Sequence, residues 1–201
     1  MALVAMLFSA NAALAASVPL GAASGEGSCP AIPTDYIQLA SVGNTFVVPA
    51  PGGTITSWSI LTASADTGPV GLEVWRPATA STYTLVGSTT PVLLAPNSFN
   101  TNLPASIAVT GGDLLGLRLE GAATCGHFTG AAGDRYGFWP RAASAPPVGN
   151  SFLIVPGFQL DVSVWLDTTI TPPPPPTSGC DATGQSNGND DCQQTQGRNQ
   201  N

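Results

Sequence analysis

The sequence predicts an all-β protein, an antiparallel β-sandwich or jelly roll. From Cys29 to Asp167 the chain consists of short apolar segments at a spacing of about 8 to 12 residues, separated by turn formers. Glycine or proline interrupts most windows that are long enough to hold a helix, so helical periodicity is nearly absent. Short strands with regular turn signals are typical of sandwiches and barrels. The stretch is long enough for one core and too short for two, and we expect a single domain over 29–167.

The strands are predicted from alternation and β-branched or aromatic content, and the turns between them from Gly, Pro and Asp. Clear turn signals are Pro51-Gly52-Gly53, Gly111-Gly112-Asp113 and Pro156-Gly157. In chain order, the predicted strands are 36–40, 45–49, 54–62, 70–75, 83–88, 98–102, 106–109, 114–120, 136–139, 151–155 and 158–167.

Two of these segments place polar and aromatic residues on a predicted wet face. In 158–167 apolar residues occupy every second position from Phe158 to Leu166, so Asp161 and Trp165 fall on the other phase. In 70–75 the same alternation places Glu73 and Trp75 opposite the aliphatic set. A period of two indicates one buried and one solvent-facing side. We therefore expect all four of these side chains to point outward.

Several segments carry a family resemblance. They are Thr45-Phe46-Val47-Val48-Pro49, Gly53-Thr54-Ile55-Thr56-Ser57-Trp58 and the run from Val109 to Leu117. They resemble β-sandwich, jelly-roll-like domains of secreted actinobacterial proteins, often followed by Pro-rich or Asp-rich tails and mostly without assigned activity. The resemblance covers about residues 29 to 167. It implies the fold and an extracellular location, and it transfers no catalytic residue.

The first residues have the features of a secretory signal peptide. Residues 1–16 are apolar or small and uncharged, and Ala13-Leu14-Ala15 offers a small-x-small cleavage site, although no Lys or Arg precedes the apolar run. We expect secretion, with 17–28 as a flexible segment before the domain. Outside this leader no apolar run reaches the roughly 20 residues that a membrane-spanning helix needs, so no membrane span is predicted.

Five consecutive prolines, Pro172 to Pro176, mark the predicted end of the domain. A proline run favours an extended polyproline II conformation, so 168–179 is predicted as a linker and 180–201 as a polar, disordered tail. Oxygen ligands occur in the tail at Asp181 and at 187–191. The Asp-x-Asp-x-Asp-Gly order and the closing Glu of a calcium loop are missing, so no metal site is predicted there.

The cysteines predict disulfide bonds, because an even number in an exported chain forms a disulfide framework. Four cysteines allow three connectivities. Their distribution favours Cys29–Cys125 within the domain and Cys180–Cys192 beyond the prolines. A zinc site at Cys125 and His127 is the rival interpretation, but it lacks a second close pair of ligands within the domain.

Charge excludes two classes of partner. Only 8% of the residues are charged, the formal net charge is −7, and all five cations are arginine. No basic cluster exists that could displace counterions from nucleic acid or bind an anionic membrane. An extracellular polysaccharide or another surface protein is the expected partner, and no cofactor is predicted.

Two arrangements of ionisable residues are compatible with hydrolysis. His127 with Asp113 or Asp134 and a serine would form a triad, but no Gly-x-Ser-x-Gly elbow is present. Asp161 and Glu73 would serve as a glycosidase pair only at a separation of about 5 to 9.5 Å. A secreted hydrolase is therefore the third hypothesis for the function.

The predicted outward tryptophans support the leading hypothesis. Trp75 and Trp165 on a wet face would stack on sugar rings or anchor a partner, with Glu73 and Asp161 beside them. The alternative is that they are covered, by the 139–147 connection or by a second apolar cluster. We therefore expect a secreted, non-enzymatic binding or surface-associated module, with carbohydrate as the first ligand class. A structural or adhesive extracellular protein without a small-molecule site is the second hypothesis.

Overall fold

The computed structural model describes residues 17–24, 27, 29, 32–63, 68–141 and 152–168. The chain divides into two units, Met1–Thr169 and Ile170–Asn201, and every described residue belongs to the first. The predicted signal peptide 1–16, the prolines 172–176 and the tail 180–201 with Cys180 and Cys192 lie outside the described residues. The described part contains no helix that is long and apolar enough to span a membrane.

The described residues form twelve strands and no helix. The strands are β1 Ser17–Ala22, β2 Thr34–Ala40, β3 Gly52–Leu61, β4 Val70–Pro77, β5 Tyr83–Ser88, β6 Phe99–Thr110, β7 Leu114–Leu119, β8 Gly126–Phe128, β9 Arg135–Pro140, β10 Leu153–Pro156, β11 Phe158–Leu160 and β12 Val162–Asp167. All named pairings are antiparallel. The predicted all-β class is confirmed.

Two sheets enclose the core and form a β-sandwich. One has four strands in the order β1-β12-β3-β6, the other has six in the order β10-β9-β2-β7-β4-β5, and β11 and β8 form a separate pair. The four-stranded sheet contributes Trp58, Val164 and Leu166 to the core, and the six-stranded sheet contributes Leu72 and Leu117. The inward phase predicted from the alternation along 158–167 is therefore confirmed from Leu160 onward.

The domain begins earlier than predicted. Residues 17–22, expected to belong to a flexible segment, form β1, which pairs with β12 from Ser17↔Asp167 to Ala22↔Val162. Leu20 of this strand is buried in the core. The prediction of a flexible 17–28 segment is corrected over these residues, because the edge of β12 offers backbone partners that the local sequence does not reveal.

Other strand boundaries also differ from the prediction. The single strand 158–167 is interrupted at Asp161, where the chain passes from β11 into β12. The segments 98–102 and 106–109 belong to one continuous strand, β6, and β8 was not predicted. The segment 45–49 forms an isolated bridge, Val47↔Leu114, in place of a full strand.

The predicted disulfide Cys29–Cys125 is present, with the two Cα atoms 5.7 Å apart. It joins the segment before β2 to the segment before β8 across 96 positions of sequence. Because the Cys125 sulfur is bonded to Cys29, it is not available to a zinc ion, and the rival site with His127 is not formed.

Candidate functional site

Trp165 lies on the outer face of the four-stranded sheet, the face turned away from the core. Its neighbours in β12, Val164 and Leu166, are buried in the core, so the pleat turns Trp165 outward. The side chain is 42% exposed. Trp165 therefore lies on the outward phase of β12 that the alternation predicts.

A shallow groove of about 300 Å³ surrounds this indole. It is lined by residues of all four strands of the sheet: Pro19, Ser59, Phe99, Thr101, Asn102, Ser163, Val164 and Trp165. We call it the Trp165 groove. Pro19 is the partner of Trp165 across the β1–β12 pairing. Phe99 adds a second ring that is 53% exposed.

The groove combines aromatic and neutral polar groups. The indole and the phenyl ring supply flat apolar surface, and hydroxyls and an amide come from Ser59, Thr101, Ser163 and Asn102. None of the eight described residues that line the groove carries a charge. Such a surface can stack on a flat apolar group and exchange hydrogen bonds with neutral polar groups around it.

The backbone is irregular at Trp165 and at Asn102, two of the residues that line the groove. Trp165 pairs with Ser57 of β3 and Leu166 with Ile55, so Thr56 is an extra residue, and its hydroxyl donates to the Trp165 carbonyl oxygen at 3.4 Å. A bulge of this kind bends a strand and re-aims neighbouring side chains. On β6, Asn102 has a φ of 55°, and its N–H donates to Ser59 Oγ at 3.4 Å. The sequence pattern did not reveal these two features.

Trp75, predicted to be outward, is fully buried, and this prediction is wrong. The outer face of the six-stranded sheet carries its own apolar cluster, in which Phe152 meets the Trp75 ring edge-on at 5.1 Å between centroids. The indole also lies against β7 at Gly116, where an added Cβ would come within 2.9 Å of Trp75 Cδ1. The covered alternative is therefore correct for Trp75.

Glu73, also predicted to be outward, is only 2% exposed. Trp75 Nε1 donates a hydrogen bond to Glu73 Oε2 at 3.1 Å. Burial, reinforced by the charge of Asp35, raises the pKa of Glu73 to about 8 against the attraction of Arg118 and Arg141. The residue is a buried acid beneath the second cluster and does not take part in a surface binding face.

A charged network that the sequence did not predict lies beside Glu73. Arg141 Nε is 2.8 Å from Asp35 Oδ1, Arg141 Nη2 is 3.0 Å from Glu120 Oε2, and Arg118 Nε is 2.7 Å from Glu120 Oε1. Asp35 is 1% exposed, and burial raises its pKa to about 6 although Arg141 and Arg118 oppose the shift. Asp35 and Arg118 face each other across β2 and β7, which explains their proximity.

Asp161, the fourth predicted outward residue, is fully buried. It stands at the break between β11 and β12, where its N–H donates to the Cys125 carbonyl oxygen at 3.0 Å. The charged groups that shift the pKa of Glu73 are Asp35, Arg118 and Arg141, and Asp161 is not among them. Asp161 comes directly before β12 of the four-stranded sheet, whereas Glu73 lies in β4 of the six-stranded sheet. The structure does not bring Asp161 and Glu73 together on an open face, so the proposed carboxylate pair is not supported.

The carboxylates considered for a triad are held by other groups. Asp113 accepts hydrogen bonds from Arg76 Nε at 2.7 Å and from Arg76 Nη2 at 2.9 Å. Asp134 accepts from the Val42 N–H, from Gln159 and from the Thr129 hydroxyl. Among the described residues, His127 Nδ1 has no hydrogen-bond partner. The arrangement is not that of a carboxylate orienting a histidine toward a nucleophile.

Within the described ranges, no group of three or more His, Cys, Asp or Glu side chains is arranged so that it could hold a metal ion. Comparison with family models, with curated proteins and with solved structures gives no match to this chain. The Trp165 groove, with its exposed rings and neutral polar rim, is therefore the feature from which a ligand class is inferred.

Proposed function

We propose that this β-sandwich is a non-enzymatic carbohydrate-binding module of a secreted protein, and that it binds a neutral polysaccharide in the Trp165 groove. The observation that carries the proposal is the solvent-open indole of Trp165 in a groove that the exposed ring of Phe99 also lines. A tryptophan ring that is 42% exposed offers a flat apolar face at little cost in conformational freedom.

The groove fits a sugar chain better than an apolar surface or a charged ligand. A pyranose presents C–H groups on its faces and hydroxyls around its edge, so it matches an aromatic ring surrounded by hydroxyl and amide groups. The neutral groups of Thr101, Asn102 and Ser163 supply that rim. Since the eight lining residues include no arginine, an anionic glycan has no partner for its charge among them.

The same set of side chains supports binding without hydrolysis. Glycoside hydrolysis requires two carboxyl groups that flank the scissile bond. None of the eight described residues lining the groove has a carboxyl group. The disulfide Cys29–Cys125 supports an oxidising, extracellular setting, which is where a polysaccharide would be met.

A glycan array probed with the full chain tests the proposal, followed by calorimetry on the best neutral glycan. Trp165→Ala is expected to weaken binding at least tenfold, because the stacking contact with the sugar is lost. A tenfold change in Kd corresponds to about 1.4 kcal/mol of binding free energy. Phe128→Ala is the matched control, because Phe128 is a 69% exposed ring outside the groove. Its removal is expected to leave the affinity unchanged.

Two results would count against the proposal. One is an array on which the folded wild-type chain binds no neutral glycan. The other is glycan binding that Trp165→Ala and Phe128→Ala affect equally. Affinity for a neutral glycan is also expected to be insensitive to added salt, since no ion pair is formed.

A further inference from the structure

A second concavity lies on the open side of the sandwich. β5 is an edge strand of the six-stranded sheet and β6 is an edge strand of the four-stranded sheet. The space between them and the 89–94 connection has a volume of about 610 Å³. This volume lies within the range of about 300 to 1,000 Å³ that is typical of small-molecule sites.

The walls of this cavity are mainly apolar. Trp58, which is 1% exposed, forms part of the lining together with Leu103 and Ile107 of β6. Val92 and Leu93 of the connection line the cavity as well, yet they are 40% and 70% exposed. Aliphatic side chains at the open rim of a concave apolar site are surface that a ligand would cover.

The connection that carries these side chains is fixed to the sheet. Val92 forms an isolated bridge with Val70, with both N–H···O distances at 2.9 Å. Thr89 Oγ1 accepts from the Leu72 N–H at 2.9 Å, which ties the start of the connection to β4. The exposure of Leu93 therefore belongs to an anchored segment, and the rim is formed in advance of binding.

The polar groups of the cavity are neutral. Hydroxyls at its edge come from Ser88, Thr90 and Ser106, all of which are exposed. The Asn100 amide is already used, since it donates to Thr62 Oγ1 at 3.1 Å and accepts from the Ala95 N–H at 3.2 Å. No residue with a charge is found among the thirteen described lining residues.

We propose that this cavity binds a small neutral amphipathic molecule. An alkyl or aryl body would lie against Trp58, Leu103 and Ile107, and a hydroxyl, ester or amide end would reach the rim hydroxyls. Without a cation in the lining, a carboxylate end would lose its hydration with no compensating partner. The site is distinct from the Trp165 groove, because Leu103 and Ile107 line the cavity and Phe99 and Thr101 line the groove.

Nile red, a neutral dye whose emission rises in apolar sites, probes the cavity in the full chain. We expect saturable binding with a Kd below about 0.1 mM. Dodecanol is expected to displace the dye at least tenfold better than dodecanoate at pH 8, because only the alcohol is neutral.

Filling the cavity provides the decisive variant. Ala105 lines it, and Ala105→Phe is expected to weaken dye binding at least tenfold. Ala108→Phe is the matched control on the same strand, since Ala108 is exposed and outside the lining. Should Ala105→Phe not fold, Leu93→Ser replaces it, with Leu153→Ser, 59% exposed on β10, as its control.

The outcomes separate this proposal from the carbohydrate site. Dye binding that is absent, or that neither Ala105→Phe nor Leu93→Ser weakens, overturns it. Equal competition by dodecanoate overturns the assignment to neutral ligands. Dye binding lost only in Trp165→Ala would place the dye in the groove and also overturn the cavity assignment, while glycan binding would remain a separate measurement.

Discussion

Trp75 Nε1 donates a hydrogen bond to Glu73 Oε2 at 3.1 Å, and both side chains are buried on the outer side of the six-stranded sheet. Burial raises the pKa of Glu73 to about 8, so the carboxyl group is largely protonated at neutral pH. A neutral carboxyl still accepts the indole hydrogen bond through its carbonyl oxygen. The sheet therefore carries a buried neutral acid that is bonded to Trp75 and lies beside the charged network around Asp35, and pH controls its charge.

The first prediction concerns Glu73→Gln. A folded-state pKa above the ordinary value means that the folded state binds a proton more readily, so the free energy of unfolding falls as pH rises toward about 8. Asp35 acts in the same direction up to about pH 6. We expect Glu73→Gln to reduce the pH dependence of the free energy of unfolding, measured in urea, between pH 6 and 8. At pH 8 the variant is expected to be more stable than the wild type by about 1–3 kcal/mol.

Glu120→Gln is the control for that experiment. Although burial opposes it, hydrogen bonds from Arg118 and Arg141 lower the pKa of Glu120 below its ordinary value. Its stabilising contribution is therefore complete above pH 5 and is lost only as pH falls further. The slope between pH 6 and 8 is expected to persist in this variant. A wild-type protein whose stability rises from pH 6 to 8 would contradict the assignment to Glu73.

The second prediction compares two tryptophans in thermal and urea unfolding. Trp75→Ala is expected to cost about 3–5 kcal/mol, because it removes a buried ring that packs on Phe152 and leaves Glu73 without its donor. Trp165→Ala is expected to cost no more than about 1 kcal/mol, as at ordinary exposed positions. Equal losses in the two variants would show that Trp165 is covered in solution.

The third prediction concerns the disulfide. Cys29 and Cys125 are 96 residues apart, and in the chain-entropy model a closed loop of this length stabilises the fold by about 4–5 kcal/mol. Replacing both with alanine is expected to lower the free energy of unfolding by up to this amount. Non-reducing peptide mapping checks the pairing, and a peptide that joins Cys125 to Cys180 would contradict it.

The sequence predicts those parts of the fold that depend only on the alternation of apolar and polar residues within one strand. The alternation from Val162 to Leu166 identifies a buried and an exposed side, and Trp165 lies where that pattern places it, whereas Asp161, just before this stretch, is buried against the same pattern. Local pattern also predicts the all-β class and most of the strands. The intradomain disulfide follows from the positions of the cysteines along the chain.

The predictions that fail depend on residues distant in sequence. Glu73 and Trp75 alternate correctly with the core positions, but the opposite face is covered as well, in part by Phe152, which comes 77 positions after Trp75. Asp35 meets Arg141 through the pairing of β2 with β9. Alternation distinguishes the two faces of a strand, but it does not show whether a second layer covers one of them.

The last prediction tests the corrected start of the domain. Leu20 of β1 is 3% exposed and lies in the core, and the adjacent Gly21 is so close to β12 that an added Cβ would fall 2.2 Å from the Val162 carbonyl oxygen. Leu20→Ala is therefore expected to cost about 2–5 kcal/mol of stability in urea. Ser17→Ala, an exposed change at the start of the same strand, is expected to stay within about 0.5 kcal/mol. If 17–22 were a flexible segment, both variants would unfold like the wild type, because a residue without tertiary contacts leaves no cavity when it is shortened.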